Sequence, residues 1–315
     1  MAMTSHQQAR VSGTPVIDYE GSQYKRNFWE GQGRDYEDTT ERVALRQLLP
    51  LQGPRIAEIG AGFGRLANMY LGYDQIILFD YSRTLLQDAV AHWGHDPRFV
   101  FVAGNIYQLP LATGSLDSLV MVRVMHHLAD VPAALQQIHR VLHSQSVAVL
   151  EYANKRNVKA FLRWAIGRQS WSPIDSEPVE FVELNFDFHP SWMKTRFQEA
   201  RLSIKQQYAV SHFRLPLLKK YVGSANLVKA DQALYALGGL YPVSPSVFVQ
   251  VEAIDAGVRA AANMNQAGIA ELFCCPQCAK SQFQLVETEQ LLCGNCGIKY
   301  NKVAGIWDFK EAATN

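Results

Sequence analysis

Short apolar runs alternate with amphipathic stretches along the middle of the chain. Runs at 55–59, 75–79, 99–103, 119–124 and 146–152 are too short for helices and predict buried strands. Between them, 65–71 and 131–142 predict helices, the second with Leu135, Ile138 and Leu142 on one face. Further on, 192–200 predicts a helix capped by Ser191, and 215–240 predicts helix. Runs at 202–210 and 245–251 predict a sixth and a seventh strand. Strands alternating with helices describe an α/β fold with a doubly wound parallel sheet. No apolar run approaches membrane-spanning length.

Composition narrows the picture only mildly. A chain of 315 residues has room for one large α/β domain plus something small, and 48% hydrophobic residues suffice for its core. The net charge of +1 gives no global field for nucleic acid or anionic membrane, though a local patch is compatible with it. Residues 1–16 are polar enough to predict a disordered tail. The first eleven residues carry no apolar signal-peptide core, so a cytoplasmic location is expected.

Candidate chemistry begins at the loop Glu58-Ile59-Gly60-Ala61-Gly62-Phe63-Gly64-Arg65. Glycines between strand and helix allow a ligand to approach the backbone, which points to a nucleotide-like molecule. Arg65 stands where a dinucleotide fingerprint needs its third glycine, and Glu58 stands two residues before Gly60. A carboxylate there suits a cation better than a pyrophosphate. The second strand ends in Asp80-Tyr81-Ser82, where an acid can accept both ribose hydroxyls; the alternative is a solvated turn aspartate. Gly104-Asn105-Ile106 follows the third strand, and Arg123, Met125-His126-His127 follows the fourth.

These motifs resemble the class I S-adenosylmethionine (SAM) methyltransferases of the ubiquinone-biosynthesis-like type, over roughly 17–254 and most strongly over 54–152. The resemblance implies a Rossmann-like seven-stranded sheet with an antiparallel last strand, in a domain spanning 17–260 with a substrate cap at about 153–245. It implies that Glu58, Gly60, Ala61 and Gly62 position the methionine part of SAM. Asp80 would hold the ribose, Tyr81 could face the adenine, and Asn105 and Ile106 would read it. Asn105 replaces the family's usual Asp, but its amide oxygen could accept the same bond. Arg123 would point toward the cofactor, and Arg34 or Tyr36 could meet the methionine carboxylate. Tyr19, Tyr24, Phe28 and Trp29 belong to the same aromatic N-terminal segment.

Four of the five cysteines lie as Cys275-x-x-Cys278 and Cys293-x-x-Cys296. Two such knuckles let four thiolates converge on one zinc ion, and a closed set of four makes that zinc structural. Cys274 is left over. Leu272-Phe273, Tyr300, Val303, Gly305-Ile306 and Asp308-Phe309 around the knuckles resemble a small zinc-ribbon family, one member of which activates tRNA and translation-factor methyltransferases. The ribbon is expected at 268–315, where it could touch substrate, prop the catalytic domain or recruit a protein partner.

Residues 154–171 are basic, with Lys155, Arg156, Lys159, Arg163 and Arg168. They form either a lid over an anionic or lipophilic substrate or RNA, or an ordinary cover helix. His126, His127, Glu151 and His189 are candidate bases by position, needed only if the acceptor is a hydroxyl or an acidic carbon. The leading reading is methyl transfer from SAM to a small-molecule acceptor. A second is methylation of RNA or a translation protein with the ribbon as built-in activator. The sequence lacks an Asn-Pro-Pro-Tyr-type motif after the fourth strand, which weighs against amide methylation. The third reading is a non-catalytic SAM-binding scaffold.

Overall fold

A computed structural model describes residues 7–11, 13–22, 29, 31–257 and 268–313. Tyr24 and Phe28 lie outside the described residues. The N-terminal strands β1 (Gln7–Val11) and β2 (Thr14–Asp18) pair as an antiparallel hairpin, where the sequence led us to expect a tail. Helix α1 (Asp35–Leu48) leads into the sheet. Its strands are β3 (Gly53–Ile59), β4 (Tyr73–Asp80), β5 (Phe99–Ala103), β6 (Leu116–Met121) and β7 (Leu142–Ala153). Helices α2 (Arg83–Trp93) and α3 (Val131–Val141) lie between them. A cap follows, made of α4 (Val158–Ala165), the small pair β8 (Val179–Val182) and β9 (Asn185–Asp187), and α5 (Pro190–Glu199). The chain returns through β10 (Leu202–Val210), α6 (Pro216–Val222), α7 (Ser224–Leu240) and β11 (Ser246–Ala253).

The strand order β10-β11-β7-β6-β3-β4-β5 is parallel throughout β3 to β7, with β11 antiparallel to both neighbours. Alternation along each strand explains the two layers of core. Ala57, Ile77, Val102 and Leu119 face α3, α5 and the ribbon, with Leu135, Phe197 and Trp307 in the same cluster. Ile56, Ile76, Phe101 and Val120 face α1, α2 and α7, meeting Leu45, Leu86 and Tyr235. A strand buried on both faces reads as a continuous apolar run, which is why these strands stand out in the sequence.

The ribbon does not stand apart. Its strands are β12 (Phe283–Glu287), β13 (Gln290–Cys293), β14 (Lys299–Val303) and β15 (Ile306–Asp308). Strand β15 pairs in parallel with β5, Ile306 opposite Phe101 and Asp308 opposite Ala103, so the sheet continues to eleven strands among the described residues. An exposed strand edge offers unpaired N–H and C=O groups, and the ribbon covers this one. Phe273 and Phe309 bury their rings on the same side, 4.8 Å apart.

Several local expectations fail for identifiable reasons. Residues 65–71 form only a 3-10 turn at Ala67–Met69, because Gly60, Gly62 and Gly64 all take positive φ and β4 already begins at Tyr73. The fourth strand stops at Met121, since Arg123 adopts φ 60° and cannot continue an extended run. The basic cap helix covers only Val158–Ala165: the Asn157 side chain caps it at Ala160 N, 2.9 Å, and Gly167 at φ 69° follows its end. His189, not Ser191, caps α5, its Nδ1 accepting from Ser191 N at 3.2 Å. That contact makes His189 a structural residue.

Candidate active site

The glycine loop is fixed at the carboxyl ends of β3 and β4, the place where open α/β sheets bind ligands. Gly60 N and Ala61 N both donate to Phe79 O, at 2.8 and 2.9 Å. Gly60 has φ 76°, and a Cβ there would run into Val124 Cγ2. Asp80 latches the loop from the next strand: its Oδ2 accepts from Gly62 N at 2.7 Å and its Oδ1 from Ser82 N at 2.8 Å. Burial raises the Asp80 pKa above the ordinary value, against the pull of these N–H groups.

Around this loop opens a cleft of about 930 Å3, counting the part open to solvent. Glu58, Gly60, Ala61, Gly62, Asp80, Tyr81, Ile106 and Arg123 all line it. Glu58 is buried, and its Oε2 has no hydrogen-bond partner among the described residues. Burial pushes its pKa up to about 8, with Arg65 opposing. An orphaned, buried carboxyl in a cleft is a site for a cation.

Opposite, two guanidinium groups flank Trp29, Arg65 at 4.0 Å and Arg123 at 5.1 Å from the ring centroid. The buried Glu41 joins them, bonding Arg65 at 2.9 Å and pairing closely with Arg123. Burial acts to raise the Glu41 pKa, but the two arginines outweigh it and hold it low.

The hairpin closes one side of the cleft. Val16, Ile17 and Tyr19 line it, although only Tyr19 stood out in the sequence. The Tyr19 hydroxyl meets His127 Nε2 at 3.1 Å, and His127 Nδ1 lies 3.1 Å from Leu184 O in the cap. A carbonyl only accepts, so Nδ1 carries the proton and Nε2 accepts from Tyr19. His127 thus ties hairpin to cap.

Other candidates lie elsewhere. Asn105 sits behind the cleft wall; its oxygen accepts from Tyr107 N at 2.9 Å, which leaves its Nδ2, a donor, without a partner among the described residues. Tyr36 is fully buried beside Leu227 and Val228, its hydroxyl accepting from Phe213 N at 3.0 Å, so it does not reach the cleft. Arg34 lies 6.0 Å from the Trp29 ring and does not line the cleft. Glu151 is locked by Arg123 N at 2.9 Å and Ser246 Oγ at 2.5 Å. Glu151 is thereby held in a supporting role. His126 does not line the cleft, and desolvation of its ring drives its pKa well below the ordinary value.

The ribbon reaches the cleft wall. Arg83 Nε donates to Asp308 at 2.6 Å, and Lys310 Nζ sits 3.8 Å from the centroid of the Tyr81 ring. At its far end the Sγ atoms of Cys275, Cys278, Cys293 and Cys296 all lie within 4.8 Å of one another. The Cys275–Cys296 and Cys278–Cys293 sulfur distances are 3.6 Å. Four sulfurs each about 2.3 Å from a tetrahedral zinc stand roughly 3.8 Å apart, so the set fits that ion. Gly297, at φ 74°, closes the second knuckle by donating to Cys293 O at 2.9 Å. Cys274 is a buried residue whose N–H donates to Pro110 O at 3.2 Å.

Residues 57–150 match a family described as a methyltransferase domain. A 2-phytyl-1,4-naphtoquinone methyltransferase from Nostoc sp. (strain PCC 7120 / SAG 25.82 / UTEX 2576) is 27% identical over 189 residues, 57% of this chain and 69% of that protein. Residues 57–150 thus form a methyltransferase domain of the class I, SAM-dependent kind. The chain's fold is similar to that of a SAM-dependent methyltransferase from Mesorhizobium loti, with a TM-score of 0.50 and 19% identity over 69% of this chain and 99% of the other. It is also similar to a chain in the complex of the Haloferax volcanii Trm112 methyltransferase activator with a methyltransferase. There the TM-score is 0.52 and the identity 16%, over 73% of this chain and 97% of that one. In this methyltransferase, SAM is the methyl donor. The glycine cradle, the latched Asp80 and the orphaned Glu58 suit a molecule with ribose hydroxyls and cationic centres. Among the described residues, no helix is long and apolar enough to cross a membrane.

Proposed function

We propose that this methyltransferase moves the methyl group of SAM to a small-molecule acceptor bound between the cleft and the cap. The observation that carries this reading is the closure of the cleft by Tyr19, His127 and Leu184, which leaves a pocket of small-ligand size. The naphthoquinone methyltransferase among its relatives is in keeping with a small acceptor. SAM supplies a methyl on a positively charged sulfur whose departure needs no acid. The chain's own work is to bind, align and exclude water.

Within this reading, Gly60, Ala61 and Gly62 give backbone room to the donor's methionine end, and Glu58 faces its positive charge. Asp80 holds the ribose while latching the loop. Tyr81 and Ile106 bound the adenine side. Arg123 and Arg65 set the field for the donor's carboxylate. Where the acceptor is a hydroxyl, His127 Nε2 takes its proton after Tyr19 yields that position. The ribbon steadies Tyr81 through Lys310 and α2 through Asp308. Domain limits of 17–260 and 268–315 describe two parts of one sheet.

Glu58 gives this reading a pH signature. Its raised pKa means that ionising it costs stability as pH rises from 4.5 to about 8 in the ligand-free protein. A cationic donor favours the ionised form, so binding at pH 7 releases a proton. Calorimetry in two buffers of different ionisation enthalpy should show that release, and Glu58→Gln should abolish the difference between wild-type and donor-only proton exchange. An identical buffer dependence in both proteins removes Glu58 from the donor's environment.

A second reading draws on the ribbon, which occupies the β5 edge and resembles an activator of RNA and translation-factor methyltransferases. It assigns a macromolecular acceptor. Labelled SAM, incubated with the enzyme and a fractionated extract, decides between them. We expect label in the low-mass fraction; label in RNA or protein instead contradicts the small-molecule acceptor.

A further inference from the structure

Helix α4 presents its apolar side to water. Val158, Leu162 and Ile166 recur every fourth residue and share one face of the helix; Ile166 N still donates to Leu162 O at 3.2 Å. Leu162 is 62% exposed and Ile166 63%, while the residue of α4 that is buried is the small Ala160. A surface helix ordinarily turns its apolar stripe inward, so this arrangement is the reverse of the usual one.

The end of α7 extends the same face. Leu240 is 86% exposed, and Leu237 and Tyr241 beside it are exposed as well. The two segments touch. Val158 N donates to Val243 O at 3.0 Å, Asn154 Nδ2 donates to Pro242 O at 3.2 Å, and the Arg156 guanidinium lies 3.9 Å from the centroid of the Tyr241 ring. Both segments meet at one end of the sheet. Strand β7 ends at Ala153, shortly before α4, and Ser246, the first residue of β11, pairs with Ala153. That is the carboxyl end of the parallel strands, where the glycine loop follows β3.

Charge decides what covers this face. Residues 153–174 contain Lys155, Arg156, Lys159, Arg163 and Arg168 and no acid. Lys155 turns inward to Glu177 O at 2.6 Å, but Lys159 and Arg168 are exposed, and Arg156 and Arg163 partly so. Residues 200–251 add exposed Lys220 and Lys229, and their one acid, Asp231, is fully buried and bonded to Ser211 N and His212 N at 2.9 Å. The whole chain is only +1, so this side is positive against a near-neutral molecule. A second copy seated here would set like charges against each other. The aliphatic side chains of Val158, Leu162, Ile166 and Leu240 cannot stack on bases, so RNA would leave them unused. Apolar side chains framed by cations fit a layer that is negative at its surface and apolar beneath.

We propose that α4 and the end of α7 dock the protein on an anionic lipid surface. Leu162, Ile166 and Leu240 enter the boundary between headgroups and acyl chains, and Lys159, Arg163 and Arg168 meet the phosphates. The protein lies on the layer without crossing it, in keeping with the lack of a spanning helix among the described residues. Docking sets the end of the sheet that carries the glycine loop nearest the lipid. It stands independently of methyl transfer, since it needs neither donor nor acceptor.

Flotation of the full, zinc-loaded chain with lipid vesicles measures this docking. The protein should float with vesicles of mixed phosphatidylcholine and phosphatidylglycerol and stay behind with phosphatidylcholine alone. Leu162→Gln combined with Leu240→Gln should weaken binding roughly tenfold, and Lys159→Glu by a similar factor. All three positions are exposed, so the variants should melt within about 2 °C of wild type. No flotation of wild type with the mixed vesicles overturns the proposal, and so does equal flotation with phosphatidylcholine alone. Undiminished binding by the double leucine variant overturns it as well; paired with a loss in Lys159→Glu, that result describes a site for a polyanion such as RNA.

Discussion

Removing zinc is expected to undo the ribbon and weaken the whole molecule. The segment 268–313 has a small core of its own, and four thiolates without a metal repel one another as they ionise. Its aromatic side chains Phe273, Trp307 and Phe309 are nevertheless part of the core on the α3 and α5 side of the sheet. Losing them exposes that face and frees the β5 edge for non-native pairing. Burial of each such ring is worth about 2 kcal/mol. A net loss of about 4 kcal/mol, after the segment regains its freedom, lowers Tm by roughly 8 °C. Differential scanning calorimetry before and after chelation, and on Cys275→Ser, measures this directly. The same treatment should weaken SAM binding, because Lys310 and Asp308 lose their hold on Tyr81 and Arg83. An unchanged Tm, with metal shown to be absent, contradicts a structural zinc.

The second large effect is expected at Gly60. Alanine there must adopt a positive φ, at about 1–2 kcal/mol. Its Cβ must also displace Val124, and overpacking adds about 1–3 kcal/mol. Gly60 N and Ala61 N are both tied to Phe79 O, so the loop cannot slide away without breaking those bonds. We expect Gly60→Ala to weaken SAM binding by roughly a hundredfold, an energy of about 2.7 kcal/mol. Gly62→Ala is the control. It has a similar φ of 54°, but its Cβ would make only an ordinary contact with Leu85 at 3.8 Å. Its effect should be at least tenfold smaller, by roughly the overpacking energy it avoids. Equal losses at the two positions would mean that φ alone, and not the close approach to Val124, governs the loop.

The sheet was legible in the sequence because its strands are buried on both faces. Runs such as Ile76 to Phe79 carry no polar interruption, and β5 and β10 fall where the runs predict them. The short 3-10 turn after the glycine loop was not legible. Residues 65–71 have helical spacing, but the positive φ values at Gly60, Gly62 and Gly64 consume the connection. The cleft residues on strand ends, Glu58, Asp80 and Arg123, follow from position in the topology, and the structure brings them together. The misplaced candidates depended on contacts distant in sequence. Glu151 is fixed by Ser246 and Tyr36 by Phe213, partners about 95 and 177 positions away. The hairpin was invisible for the same reason: its two strands gain order by pairing with each other and by placing Val16 and Ile17 over the cleft.

Asp80 bears on the central claim most directly, because it both latches the glycine loop and faces the donor. Isothermal calorimetry with S-adenosylhomocysteine on wild type and Asp80→Ala is the deciding measurement. The structure predicts one molecule bound per chain by wild type. Two charge-assisted hydrogen bonds lost, at about 1.5 kcal/mol each, predict an affinity lower by roughly a hundredfold in the variant. An absence of binding heat in wild type, or equal affinity in the two proteins, would contradict it.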